Sequence, residues 1–210
     1  MRVTQPTNAS QYFHLLRSQV RGLGRHPLIV MTPKSLLRSR ASRSPLTDLT
    51  AGSFEEVLDD PAATSRASGT DEGATFSPGT VSRVILCSGK IAFDVIERRR
   101  RLIAGEEGLP QPGVDPAAVA VVRLEQLYPW PETALSNVLS HYPAAQDVIW
   151  LQDEPENMGA WNFVHGRLHR LLRERYNLRH VSRAESASPA TGSAALHQLE
   201  LEDLLKSAFA

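Results

Sequence analysis

Residues 81–210 alternate short β-branched runs with amphipathic stretches, and that alternation restricts the fold more than any other feature. Val81–Cys87 reads as a strand, after which Ser88-Gly89-Lys90 opens a helix through Ile91, Val95, Ile96 and Leu102. Val119–Leu124 is a second strand, followed by a Pro131–Tyr142 helix; Asp147–Gln152 is a third, followed by a helix near Met158–Tyr176. Arg179–Arg183 is a short last strand and Gly192–Phe209 a closing helix. A chain that leaves a strand through a helix and returns to the same sheet pairs parallel, by right-handed crossovers. The pattern therefore predicts an α/β fold with a mainly parallel sheet.

Val119-Ala120-Val121-Val122 is apolar at every position, the mark of a strand covered on both faces. The run continues into Arg123, Leu124, Glu125, Gln126 and Leu127, and then Tyr128-Pro129-Trp130-Pro131, whose prolines are expected to stop regular structure. Pro131 suits the first turn of the next helix. The strand thus delivers Arg123 and Glu125 to its C-terminal end, where open α/β sheets gather ligands and partner surfaces.

The first eighty residues divide differently. Residues 1–38 read as the end of an α/β unit. Thr7 and Asn8 are N-cap candidates for a helix over Ala9–Arg21, which Gly22 and Gly24 should end. Pro27–Thr32 has the composition of a buried strand. Met1 looks like an arbitrary start, because an α/β domain does not begin in the middle of a unit. Residues 39–80 are rich in Ser, Pro and Gly and read as a linker. Leu46–Leu58 can form one short helix capped near Thr47 or Ser53, and Asp59–Gly79 offers little to bury.

Several motifs invite chemistry, each with a structural alternative. Asp153, Glu154 and Glu156 crowd carboxylates ahead of a helix, where the macrodipole favours negative charge; unequal burial could also push their pKa values apart for acid–base work. Cys87-Ser88-Gly89-Lys90 sets Gly and Lys at a helix start, as a phosphate cradle would, but it lacks the spacing of a P-loop. A tight strand-to-helix turn is the plainer reading, with Lys90 an anion candidate and Cys87 a buried thiol. His165 and His169 stand four apart, without the glutamate of H-E-x-x-H, beside an apolar stripe of Trp161, Val164, Leu168 and Leu171. Arg98–Arg101 reads as a solvated helix face; Arg98 and Arg38 join Lys90 as anion or regulatory candidates.

Five segments carry a resemblance. R-L-E-Q-L-Y-P-W-P (Arg123–Pro131) closely resembles the R-I/L-E-Q-L-Y-P-F/W-P segment of the first component of 2-oxoglutarate dehydrogenase, the thiamine-diphosphate-dependent decarboxylase. Gln5-Pro6-Thr7 with Tyr12–Arg17 and His26–Arg38 resembles the end of that family's pyrimidine-binding domain. Gln152–Trp161 resembles its Q-E-E-P-x-N-x-G-A-W segment, departing at Asp153 and Met158. Glu185–Ser193 resembles its A-S-A-S-P-A-x-G segment, and Cys87–Lys90 its C-S-G-K.

The resemblance implies residues 1–38 as the end of a pyrimidine-binding domain, 39–80 as a linker, and 81–210 as a transketolase C-terminal-like domain. It further implies an intact enzyme that uses thiamine diphosphate and magnesium to decarboxylate 2-oxoglutarate and pass the succinyl group to a lipoyl arm. Expected partners are the remainder of the chain, a homodimer partner and the lipoyl-bearing succinyltransferase. The Gly-Asp-Gly and Asn-Asn of thiamine enzymes are absent here. The segment is therefore expected to bind no cofactor alone, to hold no catalytic residue or metal, and to serve as a structural, dimer-forming part. Gln5, Thr7 and Asn8 are the substrate-proximal candidates, while Arg123, Glu125, Gln126, Glu154 and Trp161 form the structural motif. Two alternatives stand beside this reading: a free-standing α/β module for an anion or nucleotide, and a 2-oxoadipate dehydrogenase.

Composition argues against other classes. Lys+Arg and Asp+Glu both total 23, which supports neither nucleic-acid nor membrane-surface binding. The single cysteine rules out an intrachain disulfide framework, and no apolar stretch approaches the ~20 residues that span a bilayer. A cytoplasmic protein is expected.

Overall fold

A computed structural model of the chain describes residues 1–22, 26–63, 76–110, 112–173 and 175–210. Its larger sheet contains β3 (Val57–Leu58), β4 (Arg83–Cys87), β5 (Val119–Leu124), β7 (Asp147–Pro155) and β8 (Asn177–Arg183), in the order β3-β5-β4-β7-β8. β5, β4, β7 and β8 pair in parallel, as the alternation requires, and β3 adds an antiparallel edge. The crossovers are α3 (Ile91–Ile103), α4 (Glu132–Ser140) and α5 (Trp161–Leu172); α6 (Ala194–Phe209) closes the chain.

The continuous apolar runs resolve into two cores. Val84, Leu86, Ala120, Val122, Val148 and Trp150 face Leu135 and Leu139 of α4 and Trp161, Val164, Leu168 and Leu172 of α5. Their neighbours Ile85, Cys87, Val119, Val121, Ile149 and Leu151 face α3 and α6. Successive strand residues point to opposite faces, so a sheet covered on both sides must be apolar at every position.

A smaller sheet, β2-β1-β6, joins the start of the chain to its middle. β1 (Arg2–Thr4) pairs parallel with β2 (Leu28–Val30) and antiparallel with β6 (Gln126–Tyr128). The prolines end regular structure as expected, since β6 stops at Tyr128, immediately before Pro129. Gln126–Tyr128 is extended because its backbone finds a partner in β1, and the cis Tyr128–Pro129 peptide follows. Helix α1 covers Ala9–Arg21, and Gly22 caps it through its N–H to Ser18 O at 2.9 Å. Gly24 lies outside the described residues.

Three expectations need correction. Pro27–Thr32 is not a buried strand: β2 lies at the sheet edge with Ile29 42% and Met31 47% exposed. On α1, Tyr12, Phe13, Leu16 and Val20 are exposed as well. Leu46–Leu58 is not one helix. α2 (Leu46–Thr50) stops before Gly52, whose φ of +91° a right-handed helix does not accept, and Val57–Leu58 finds strand partners on β5. The linker also buries more than its composition suggests, because Asp60 and Phe76 are both interior. Residues 64–75 of the linker lie outside the described residues. No described helix is long and apolar enough to cross a membrane.

Candidate functional site

The loop after β1 meets the C-terminal ends of β4 and β5, and the charged pair delivered by β5 is buried there. Glu125 is wholly buried between β5 and β6. Its Oε2 accepts from the Thr7 N–H at 2.7 Å and its Oε1 from the Thr7 hydroxyl at 2.6 Å. Arg123, 8% exposed, donates through Nη1 to the same hydroxyl oxygen at 3.0 Å. The Thr7 hydroxyl thus accepts from the guanidinium and donates to the carboxylate, bridging two charges that make no direct ion pair among the described residues. Burial pushes the Glu125 carboxyl up to about 7, against the opposing pull of Arg123 and the Thr7 bonds. Unpaired burial disfavours the charged form, and here it outweighs a nearby cation.

Gln5 fixes the other end of the loop. Its N–H donates to Glu125 O at 2.8 Å, and its side-chain Oε1 accepts from Ser88 Oγ at 2.9 Å. Gly89 adopts φ +73°, and a Cβ there would fall 2.3 Å from Gln5 Nε2. The Cys87–Lys90 turn therefore seats a glutamine side chain, which accounts for its glycine without any phosphate. The Lys90 ammonium is engaged by Asp94 on α3. Cys87 is buried, and desolvation pushes its thiol up to about 12, so it stays protonated. Asn8 caps α1 through Oδ1, which accepts from the Gln11 N–H at 2.9 Å; Thr7, the other cap candidate, is committed to Glu125.

Gln126 ties this seam to the loop beyond it. Its side chain donates to Glu56 Oε1 at 2.8 Å and Pro129 O at 3.0 Å, and it accepts from Arg2 Nε at 3.1 Å. Beside the seam lies a cavity of about 550 Å3. It is lined by Pro6, Thr7, Asn8, Ala9 and Tyr12 and by Thr32, Pro33, Leu36–Ser39, Ser42 and Arg43. Arg38 is exposed at that lining.

The remaining candidates lie elsewhere. The arginine run is not a solvated face throughout. Arg98 and Arg99 are buried, because their helix positions turn toward α6 and the linker. Arg98 is held by Glu107 and Glu202. Arg99 pairs with Asp60 and also donates to Val119 O at 2.7 Å. Only Arg100 and Arg101 are exposed, each paired with Glu97.

The carboxylates before α5 do not sit at a helix N-terminus. β7 runs through Pro155, so Asp153 and Glu154 belong to the strand, and the first turn of α5 carries no acid. Asp153 meets Arg183 at 2.7 Å, Glu156 meets His180 at 3.3 Å, and burial raises the Glu154 carboxyl. The helix start is instead capped by Gln152, whose Oε1 accepts from the Trp161 N–H at 2.9 Å and from Trp150 Nε1 at 3.0 Å. Trp161 is buried and stacks on His180 at 4.4 Å between ring centres. His165 and His169 are exposed, and among the described residues no three His, Cys, Asp or Glu side chains converge as metal ligands would.

The class of fold comes first. The chain resembles in structure a split-gene transketolase, solved as an inactive β4 tetramer, with a TM-score of 0.55 over 99% of this chain and 56% of that one. At 15% identity that likeness is one of fold: an α/β transketolase C-terminal-like domain. The sequence then supplies the family. The 2-oxoglutarate dehydrogenase C-terminal model matches residues 43–209, and the chain belongs to that family. It is 41% identical over 210 residues to the 2-oxoglutarate dehydrogenase E1 component of Cupriavidus necator, covering 100% of this chain and 20% of that protein. It is 38% identical over 208 residues to the same component of Coxiella burnetii, covering 99% and 20%. It is also 41% identical over 205 residues to the 2-oxoadipate dehydrogenase complex component E1 of Xenopus laevis, covering 97% and 19%. The chain thus spans about a fifth of the length of the curated relatives it matches.

Proposed function

We propose that this chain is the C-terminal part of a thiamine-diphosphate-dependent 2-oxo acid dehydrogenase E1 component acting on 2-oxoglutarate. The observation that carries the reading is the 41% identity across all 210 residues with the C. necator component. In this reading residues 1–38 are the end of a pyrimidine-binding domain, 39–80 a linker, and 81–210 the transketolase C-terminal-like domain. The exposed apolar face of α1 and the open edge of β2 favour it, since both are surfaces a longer chain or a dimer partner would cover.

Thiamine diphosphate, with magnesium, would supply the electron sink for decarboxylation. In this reading the rest of the enzyme holds that group, and the carboxylate of the seam, Glu125, is committed to Thr7. No step of the chemistry is therefore assigned to this segment. Its work is structural: Thr7, Glu125 and Arg123 fix the Gln5–Asn8 loop against the strand ends, Gln126 ties β6 to Glu56 and Arg2, and Glu154 and Trp161 belong to the β7–α5 scaffold. Gln5, Thr7 and Asn8 are the residues we propose to lie near substrate in the intact enzyme. The intact enzyme would work in the cytoplasm, as a homodimer serving a lipoyl-bearing succinyltransferase. The equal identity to the 2-oxoadipate component makes 2-oxoadipate the second substrate to test.

The test is an immunoblot of source cells with antibody against this chain, followed by assay of the captured protein. With thiamine diphosphate, magnesium and an artificial electron acceptor, it should oxidise 2-oxoglutarate faster than 2-oxoadipate and migrate at several times 23.1 kDa. An antigen of 23.1 kDa that oxidises neither acid would refute the reading and favour a free-standing α/β binding module.

A further inference from the structure

The outer side of β8 is an open edge of the larger sheet, since the strand pairs with β7 alone. The Asn177 N–H donates to Gln146 O at 2.8 Å, and Arg183 O accepts from the Glu156 N–H at 3.0 Å. Those bonds fix the phase of the ladder. The backbone groups of Asn177, Arg179, Val181 and Arg183 point to β7, and those of Leu178, His180 and Ser182 point outward. Among the described residues nothing pairs with these outward N–H and C=O groups. A strand left in this way is a template for one more strand.

The same edge carries one sign of charge. Arg170 and Arg173 stand at the end of α5, Arg175 in the turn and Arg179 on β8, and Glu174 is the only acid in that run of sequence. All four arginines are exposed, and among the described residues none of them meets a carboxylate. The Arg175 guanidinium lies over the Tyr176 ring at 5.0 Å, and Arg179 donates to Ala210 O at 3.4 Å. Elsewhere the chain pairs its exposed arginines, as Arg100 and Arg101 do with Glu97. The helix C-terminus accounts for cations at Arg170 and Arg173, but Arg175 and Arg179 lie beyond it. Arg173 also holds a φ of +47°, where a side chain is strained and glycine would not be.

We propose that the β8 edge is a docking site for an extended acidic segment of a partner protein. The segment adds a strand beside β8, and acids at every second position keep its carboxylates on one face, within reach of the arginines. A second copy of this chain is not the occupant. Two β8 strands side by side would bring Arg175 and Arg179 of both copies into one stripe without counter-charge. The arginines gather at the start of β8, whereas the Gln5–Asn8 loop meets the far ends of the parallel strands, so the partner docks without reaching that loop. The site goes beyond the family reading and rests on neither its substrate nor its cofactor.

The test uses the protein as isolated and a fluorescein-labelled peptide of alternating Glu and Thr. Fluorescence anisotropy should show binding that weakens as sodium chloride is raised. Arg175→Ala/Arg179→Ala should weaken it roughly tenfold, and Arg175→Lys/Arg179→Lys by less than about threefold. Ser182→Pro removes an outward donor and no bond to β7, so it should weaken binding at unchanged melting temperature. Hydrogen exchange, read residue by residue, should show the Leu178, His180 and Ser182 amides gaining roughly tenfold protection when about nine-tenths of the protein is bound. No binding at millimolar peptide would overturn the proposal, as would equal binding by the alanine double variant. Edge amides unchanged on binding, or already protected without peptide, would overturn it too. So would an oligothymidylate that displaces the peptide at equal charge, because the surface would then be one for any polyanion. The arginine variants and the exchange measurement decide the matter if Ser182→Pro fails to fold.

Discussion

Replacing Asp60 with alanine should nearly unfold this chain, although the residue lies in a segment whose composition reads as a connector. Asp60 is wholly buried. It accepts from Arg99 Nη2 at 2.9 Å, from the Val121 N–H at 2.6 Å and from the Ala62 N–H at 2.8 Å, and Arg99 Nη1 closes a two-point ion pair. Arg99 has 8% of its side chain exposed and lies over the Phe76 ring at 5.6 Å. Removing the carboxylate leaves a buried guanidinium with no counter-charge, which costs ~3–5 kcal/mol. The orphaned amide of Val121, in the middle of β5, adds ~1–3 kcal/mol. The two overlap, so we expect a loss of about 5 kcal/mol, comparable with the whole stability of many domains. Urea denaturation followed by circular dichroism gives the number directly. The double variant Asp60→Ala/Arg99→Met removes both charges and should recover at least half of the loss. A single-variant loss below ~1 kcal/mol would refute the claim that the linker is anchored by a desolvated ion pair.

Two further outcomes follow from the same reasoning. The Glu125 carboxyl, ordinarily near 4.5, lies at about 7 in the fold, so the folded state holds the extra proton between those values. Its contribution to stability is full below 4.5, declines as pH rises to about 7, and is constant above. At about 1.4 kcal/mol per pH unit the interval is worth ~3 kcal/mol. Glu125→Gln should remove that slope from denaturation midpoints measured at pH 5 and pH 8, and an unchanged slope would assign it to another group. Trp161→Ala should cost ~3–5 kcal/mol, because the ring fills the core beneath α5 and stacks on His180; an unaltered melting temperature would show that the helix does not depend on it.

The sequence alone determined the class of the domain. Alternating β-branched runs and amphipathic stretches leave only a parallel sheet with covering helices, and the parallel strands β4, β5, β7 and β8 with the helices that follow them fall close to where that pattern puts them. Its wording also reached the family, since Arg123–Pro131 and Gln152–Trp161 are read without any fold. Tertiary structure decided what the polar residues do. Whether Arg98 and Arg99 are solvated or buried depends on what α3 packs against, and Glu107, Glu202 and Asp60 are distant in sequence or hidden in a connector. β3 and β6 are too short to carry a periodicity, and both exist only because a partner strand offers them hydrogen bonds. Thr7 and Glu125 are 118 residues apart. Local pattern reports which face of an element is apolar, while desolvation of a charge depends on every atom around it, and those atoms come from the whole chain.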